Sequence, residues 1–360
     1  MTTFIVTGRL RIFLSRFMLI VISLLAGLLL AEGLTRVFFP QMAPRTAQLT
    51  KFWKYDSRYG WLHIPGASGT FESYGIDSFV TINAKGFRGP EIEYTRDQKR
   101  QRILVLGDSY VWGYGVNQEE MFTERLRKAM PEVEVVNLGV SGYSTDQELL
   151  LYRDEGYKYK ADLVMIVVAD NDPPGNVLAE QYVVYGKPVF QLKDQDLLLS
   201  NHPVARASLW KRVLTELTRR SSILNTANKY LYAKTVGNTA PTAQRKSADG
   251  GSGAVPTSPK KFPRTPADEI TVRLLLELRQ VIPALQGAGK LLVVFVDGMT
   301  GISRDMMAYL TPYDIPCLDL GEHIDFKDKS LHLADDFHWN AEGHKRVADI
   351  LAQNLDKLLK

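Results

Sequence analysis

Ser109 closes the run Ile103-Leu104-Val105-Leu106-Gly107-Asp108-Ser109. The apolar part is too short for a helix and is followed at once by a breaker, so it reads as a buried strand. Three more blocks follow: Asn137-Leu138-Gly139-Val140-Ser141-Gly142-Tyr143, then Ala169-Asp170-Asn171-Asp172, then Asp335-Asp336-Phe337-His338-Trp339-Asn340. A serine hydroxyl becomes a useful nucleophile only when a base takes its proton. His338 can be that base at neutral pH. Asp335 stands three residues before it, a spacing that puts two side chains on one side of a helical turn. There its carboxylate can fix the tautomer of the ring and stabilise the imidazolium; the neighbouring Asp336 is the alternative. A tetrahedral intermediate needs donors aimed at its oxyanion, and the backbone N–H groups of Ser109 and Gly142 with the Asn171 amide are candidates. The chemistry implied is acyl transfer from an ester to Ser109.

Taken singly, each block has a plain structural reading. Gly-Asp-Ser is turn chemistry, Asn-Asp a strand-end cap, and His338 a satisfied structural histidine. Their conjunction, in order and at strand ends, favours the catalytic reading. Asp108 is expected to support the serine loop and His344 to pack in the last helix. His63, His202, His323 and His332 show no ligand spacing, so neither a metal nor a cofactor is expected. The single cysteine, Cys317, reads as a strand residue. Position 111 is valine, which excludes the Gly-x-Ser-x-Gly elbow, and no Gly-Lys-Ser/Thr follows Gly107 to make a phosphate loop.

The elements that must carry these blocks alternate. Strands are predicted over 102–106, 133–138, 163–168, 291–296 and 315–318, with helices over 119–130, 145–159 and 268–285, the last broken near Pro283. Such alternation implies a parallel sheet covered by helices on both faces. Three blocks then lie at carboxyl ends of consecutive strands, where open α/β sheets place their ligands. A final helix with Val347, Ile350, Leu351 and Leu355 on one face would dock on the sheet and bring His338 to the same rim.

The four blocks resemble those of the SGNH (GDSL-type) hydrolase superfamily, over roughly residues 101–172 and 288–358. The resemblance implies a flavodoxin-like three-layer α/β/α sandwich. It also implies Ser109 as nucleophile, Gly142 and Asn171 in the oxyanion hole, and Asp335 with His338 completing the triad. Two departures are visible: Ala169 stands where the third block usually begins with Gly, and Tyr110 where Leu often follows Gly-Asp-Ser.

Around this core the chain divides into an N-terminal segment (1–40), a β-rich lead-in (41–100) and the hydrolase-like domain (101–360) with an insertion at 173–266. Phe17 to Ala31 is almost wholly apolar and, with Ile12 to Leu14, spans about 30 Å as a helix. Arg9 and Arg11 before it favour a cytoplasmic amino terminus, hence a signal anchor and an extracytoplasmic domain. A signal peptide cleaved near Ala31-Glu32-Gly33 is the rival. In the lead-in a hairpin is expected over Phe79–Asn83 and Phe87–Arg88. Its aromatics (Trp53, Tyr55, Tyr59, Trp61, Phe71, Tyr74) are expected in the core, a carbohydrate platform being the alternative. A helix is expected within 209–233, and disorder over the Gly/Ser/Pro-rich 236–262.

The 360 residues are 45% hydrophobic and 23% charged, enough for a substantial core. The net charge of +4, without a basic stripe interleaved with aromatics, argues against a nucleic-acid partner. The expected function is an esterase acting on short-chain acyl or O-acetyl esters of a cell-envelope or extracellular substrate. Transfer of the acyl group to a polysaccharide, or glycan binding without catalysis, are the alternatives.

Overall fold

The computed structural model describes residues 2–39, 49–73, 76–97, 99–182, 185–194, 196–227, 262–296, 301–334 and 336–359. The chain forms two compact units, residues 1–47 with 209–253 and residues 48–208 with 254–360. In the first, the apolar amino-terminal run is one helix, α1 (Thr2–Phe38). From Ile12 to Phe38 it is long and apolar enough to cross a membrane. The helix contains no proline, and from Ile12 to Phe38 its large apolar side chains are exposed around the whole circumference rather than along one stripe.

The second unit opens with two antiparallel hairpins: β1 (Trp53–Asp56) with β2 (Gly60–His63), and β3 (Ser68–Ser73) with β4 (Ile76–Thr81). The hairpin expected over 79–83 and 87–88 is therefore corrected. Phe79–Thr81 pairs backward with β3, and forward pairing is limited to the Ile82–Arg88 bridge and the Asn83 N–H donating to the Phe87 carbonyl at 2.8 Å. The local reason is Asn83, whose side-chain oxygen accepts from the N–H groups of Lys85 and Phe87 and closes a tight turn there. Trp53, Tyr59, Trp61 and Phe71 are buried. Trp53 and Phe71 pack on Trp112, with ring centroids 4.9 and 5.3 Å away. These rings are core, not a platform; Tyr74 lies outside the described residues.

The alternating part follows in order. It comprises β5 (Gln101–Leu106), α2 (Phe122–Ala129), β6 (Val133–Asn137), α3 (Thr145–Asp154) and β7 (Leu163–Ala169). The insertion then forms two small antiparallel hairpins, β8 (Glu180–Tyr182) with β9 (Tyr185–Gly186) and β10 (Val189–Lys193) with β11 (Asp196–Ser200). Helix α4 (Leu209–Arg220) belongs to the first unit. The expectation of disorder over 236–262 falls, but for Phe262, outside the described residues. The second unit resumes with α5 (Pro266–Gln286), β12 (Lys290–Val296), α6 (Ile302–Leu310), β13 (Cys317–Asp319) and α7 (Ala341–Leu359). Helix α5 is not broken at Pro283 but runs on to Gln286, where Gly287 takes the left-handed conformation that ends it.

The five strands form one parallel sheet, ordered β13-β12-β7-β5-β6. The two faces follow the strand period of two. Leu104, Leu106, Val164, Ile166 and Val293 point to one core, closed by α3, α5 and α6 and joined by the lead-in aromatics. Ile103, Val105, Met165, Val167 and Val294 point to the other, closed by α2 and α7. This is the three-layer α/β/α sandwich, with strand order 2-1-3-4-5 and its topological switch between β5 and β7. Every residue of β7 is buried, as a central parallel strand requires. Each large apolar side chain so covered is worth about 1.5–3 kcal/mol.

Candidate active site

Ser109 leaves the sheet where the order reverses, just past β5. Gly107 has no room for a side chain: a Cβ there would lie 2.2 Å from Val111. The chain then turns straight into a helical turn, Ser109–Trp112, capped by the buried Asp108, which accepts from the Tyr110 N–H at 2.9 Å. The fully buried Arg88 guanidinium holds the far side of this loop by donating to the carbonyls of Trp112, Gly113 and Val116. Trp112 is a floor on which the lead-in rests. Ser109 is thereby presented on a rigid support, nine-tenths buried itself.

His338 arrives from the opposite end of the chain. Asn340 fastens its segment: the side-chain amide donates to the carbonyls of Ser330 and His332, and its oxygen caps the N–H groups of Glu342 and Gly343 at the start of α7. Trp339, wholly buried, packs 4.6 Å from the Tyr110 ring. The imidazole stacks on Tyr114 at 4.4 Å and lies 5.0 Å from Tyr110. The Tyr110 hydroxyl donates to the Phe337 carbonyl at 3.1 Å. So placed, His338 Nε2 is 2.7 Å from Ser109 Oγ, across 229 residues of sequence.

The carboxylate on the far side of the ring belongs to Asp336, whose Oδ1 is 2.6 Å from His338 Nδ1. The expectation of Asp335 in that place is corrected, and Asp335 itself lies outside the described residues. The reason is local. Residues 336–338 form a bend rather than a helical turn, and Asp336 Oδ1 also accepts from the His338 backbone N–H at 3.0 Å. An aspartate bonded two residues ahead in this way faces the side chain at i+2, not the one at i+3. Burial would raise the pKa of Asp336. The hydrogen bond and charge of His338, with the N–H groups of His338 and Phe337, outweigh it and hold the carboxyl below its usual range.

Asn171 follows β7, on the other side of Ser109. Its side-chain amide donates to Asp108 Oδ2 at 3.0 Å, and the Ser109 hydroxyl lies 3.4 Å from the same oxygen. Asp108 thus joins the serine loop to Asn171. Burial pushes its pKa up, against the opposing pull of the Tyr110 N–H, the His338 charge and Asn171. Asp172 next door accepts from the Ala169 N–H and the Thr145 hydroxyl, which fixes the strand end to the start of α3. Gly142 lies in the loop after β6. That loop is stitched to the serine loop by Val140 N–H donating to the Gly107 carbonyl at 3.0 Å. At φ +81° its backbone is in the left-handed region that favours glycine. The Trp61 indole donates to the preceding Ser141 carbonyl, so the lead-in also sets this turn.

Two features were not read from the sequence. The tyrosines flanking the imidazole are one; their i, i+4 spacing after Ser109 was the available signal. The other is Lys187 in the insertion, whose ammonium donates to both Asp146 oxygens (2.8 and 2.7 Å) and to the Gly175 carbonyl, all fully buried. It ties the insertion to α3 beside the site, a long-range pairing with no sequence signature. His344 packs as expected, stacked on Phe122 and accepting its N–H. Burial lowers its pKa to about 3. Among the described residues no group of three or more His, Cys, Asp or Glu is gathered as a metal set requires.

A base 2.7 Å from a hydroxyl, with a carboxylate on its other nitrogen, can generate a serine nucleophile. The family model described as GDSL-like lipase/acylhydrolase matches residues 105–346. No match was found among curated proteins. Among solved structures, the chain is similar to TesA, at 14% identity over 72% of this chain and 100% of that one, with a TM-score of 0.41. It is also similar to a GDSL-like lipase from Bacteroides thetaiotaomicron (12%, 73% and 91%, 0.36). A third is a two-domain esterase active on acetylated mannans (12%, 72% and 50%, 0.37).

Proposed function

Since the chain belongs to the GDSL-like lipase/acylhydrolase family, we propose that it is a serine esterase, with Ser109 as nucleophile, His338 as general base and acid, and Asp336 as the orienting carboxylate. The observation that carries this reading is the unbroken relay from Ser109 Oγ to Nε2 at 2.7 Å and from Nδ1 to Asp336 at 2.6 Å.

The steps follow from the geometry. As Ser109 Oγ bonds to the ester carbonyl carbon, its proton passes to Nε2, and Asp336 stabilises the imidazolium. Negative charge develops on the former carbonyl oxygen. The N–H groups of Ser109 and Gly142 and the Asn171 amide are the donors assigned to it. Collapse breaks the bond to the alcohol, which leaves with the proton from Nε2. Water then attacks the acyl-serine and gives its proton to Nε2. The acid is released as that proton returns to Ser109. Asn171 is held by Asp108 before substrate arrives, so little reorganisation is needed when charge appears.

The substrate class proposed is short acyl esters on cell-envelope material. Helix α1 supports it: read as a membrane anchor with the basic Arg9, Arg11 and Arg16 on the cytoplasmic side, it holds the catalytic unit outside the cytoplasm.

The test uses the full chain in detergent micelles, with a fluorophosphonate probe and a short-chain aryl ester. Labelling and turnover are expected in the wild type and in neither assay for Ser109→Ala. Labelling that survives the substitution refutes the nucleophile. A wild type inert in both assays refutes the esterase.

A further inference from the structure

We infer that α4 is an interfacial helix, lying in the surface of an anionic lipid bilayer beside the anchor; the inference rests on reading α1 as that anchor. Leu209, Trp210, Val213, Leu214 and Leu217 recur at the spacing that gathers them on one face of α4, and all five are exposed. A water-facing helix of a soluble unit has no reason to leave its entire apolar stripe uncovered. Lys211 and Arg212 flank the stripe on its two sides, and in the last turn Arg220 pairs with Glu216, the single carboxylate of α4, at 2.6 Å. An apolar face edged with cations is the pattern that seats at the headgroup–acyl boundary, and anionic headgroups are the complementary charge.

The depth is set by α1 itself. Its apolar run ends at Glu32, the first acidic residue after it. The Glu32 carboxylate accepts from the N–H groups of Ser222 (2.8 Å) and Ile223 (3.3 Å) and from the Ser221 hydroxyl (2.9 Å), capping the helical residues 222–227. Arg36, ion-paired with Glu32 one turn earlier, donates to the Arg220 carbonyl at the carboxyl end of α4, at 2.5 Å. The end of α4 is therefore fastened to the anchor at the level where its hydrocarbon-length segment gives way to charge. A 12-residue helix is about 18 Å long, so from that point it can lie along the surface with its stripe turned into the bilayer.

The tryptophans make this measurable. Trp210 is 71% exposed, whereas Trp53, Trp61, Trp112 and Trp339 are at most 4% exposed. The full chain is reconstituted into vesicles of phosphatidylglycerol and phosphatidylethanolamine with brominated acyl chains, and compared with Trp210→Phe. The expected result is a loss of wild-type emission to the brominated lipid that disappears in the variant, with Trp210 shielded from aqueous iodide. If the vesicle-bound chain shows no bromolipid quenching of Trp210, the inference is overturned. In that case quenching by iodide means that the face is in water, and shielding from both quenchers means that a second copy or another protein covers it. A chain that fails to float with the vesicles at all overturns the anchor, and the inference with it.

Discussion

Replacing Asp336 and its neighbour one at a time tests which carboxylate serves His338. In Asp336→Ala the 2.6 Å bond to Nδ1 and the 3.0 Å bond to the His338 N–H both disappear. The ring then loses its tautomer control and the counter-charge for the imidazolium. Removal of an orienting aspartate from such a relay costs about 10³–10⁴ in kcat, or roughly 4–5.5 kcal/mol of transition-state stabilisation. The stacking on Tyr114 and Tyr110 remains, so the ring stays near Ser109 and KM is expected to change little. Asp335→Ala should remain within about threefold of wild type, because both bonds from Asp336 to His338 stay in place. The assay is steady-state turnover of an aryl ester by the full chain, with the rate of fluorophosphonate labelling as a second readout. A large loss in Asp335→Ala with near-normal Asp336→Ala would refute the reasoning, because it would require a relay different from the one described.

Two further outcomes follow from the same structure. Asn171→Ala removes one oxyanion donor and should lower kcat by about 10²–10³; a fall of less than about tenfold in ester turnover would place Asn171 outside the hole. His344 and His63 are buried and neutral, with pKa values lowered by burial to about 3 and about 4. Below the ordinary histidine range the unfolded chain therefore binds protons that the fold refuses. The stability they favour is fully present above about pH 6.5 and falls with acidity by up to about 1.4 kcal/mol per pH unit for each ring. Urea unfolding at pH 7, 6 and 5 should show this decline, and His344→Gln should lessen its slope; identical slopes in the two proteins would contradict the argument.

Much of this was legible in the amino-acid order because it depends on near neighbours. Buried parallel strands announce themselves as short apolar runs ended by breakers, as in Ile103–Leu106 and Leu163–Val168. Their alternation with helical periodicity leaves few topologies other than a helix-covered parallel sheet. The positions of Ser109, Gly142 and Asn171 just past strand ends come from the same local rules, as does the docking face of α7. What the chain order left open depends on contacts between distant segments. Phe79–Thr81 had two available partners, and the backward pairing with β3 prevailed because Asn83 closes its own turn. The lead-in aromatics could have faced water until Trp112 was found to offer them a floor. Lys187 is an ordinary charge in an unreadable insertion until Asp146, 41 residues earlier, surrounds it. The choice between Asp335 and Asp336 turns on a single residue of register. Asp336 is turned to the ring in a bend held between the Tyr110 hydroxyl, which donates to the Phe337 carbonyl, and the Leu333 N–H, which donates to the His338 carbonyl. Periodicity specifies which face a side chain occupies. The direction of a carboxylate in a loop is specified only by the partners that folding brings to it.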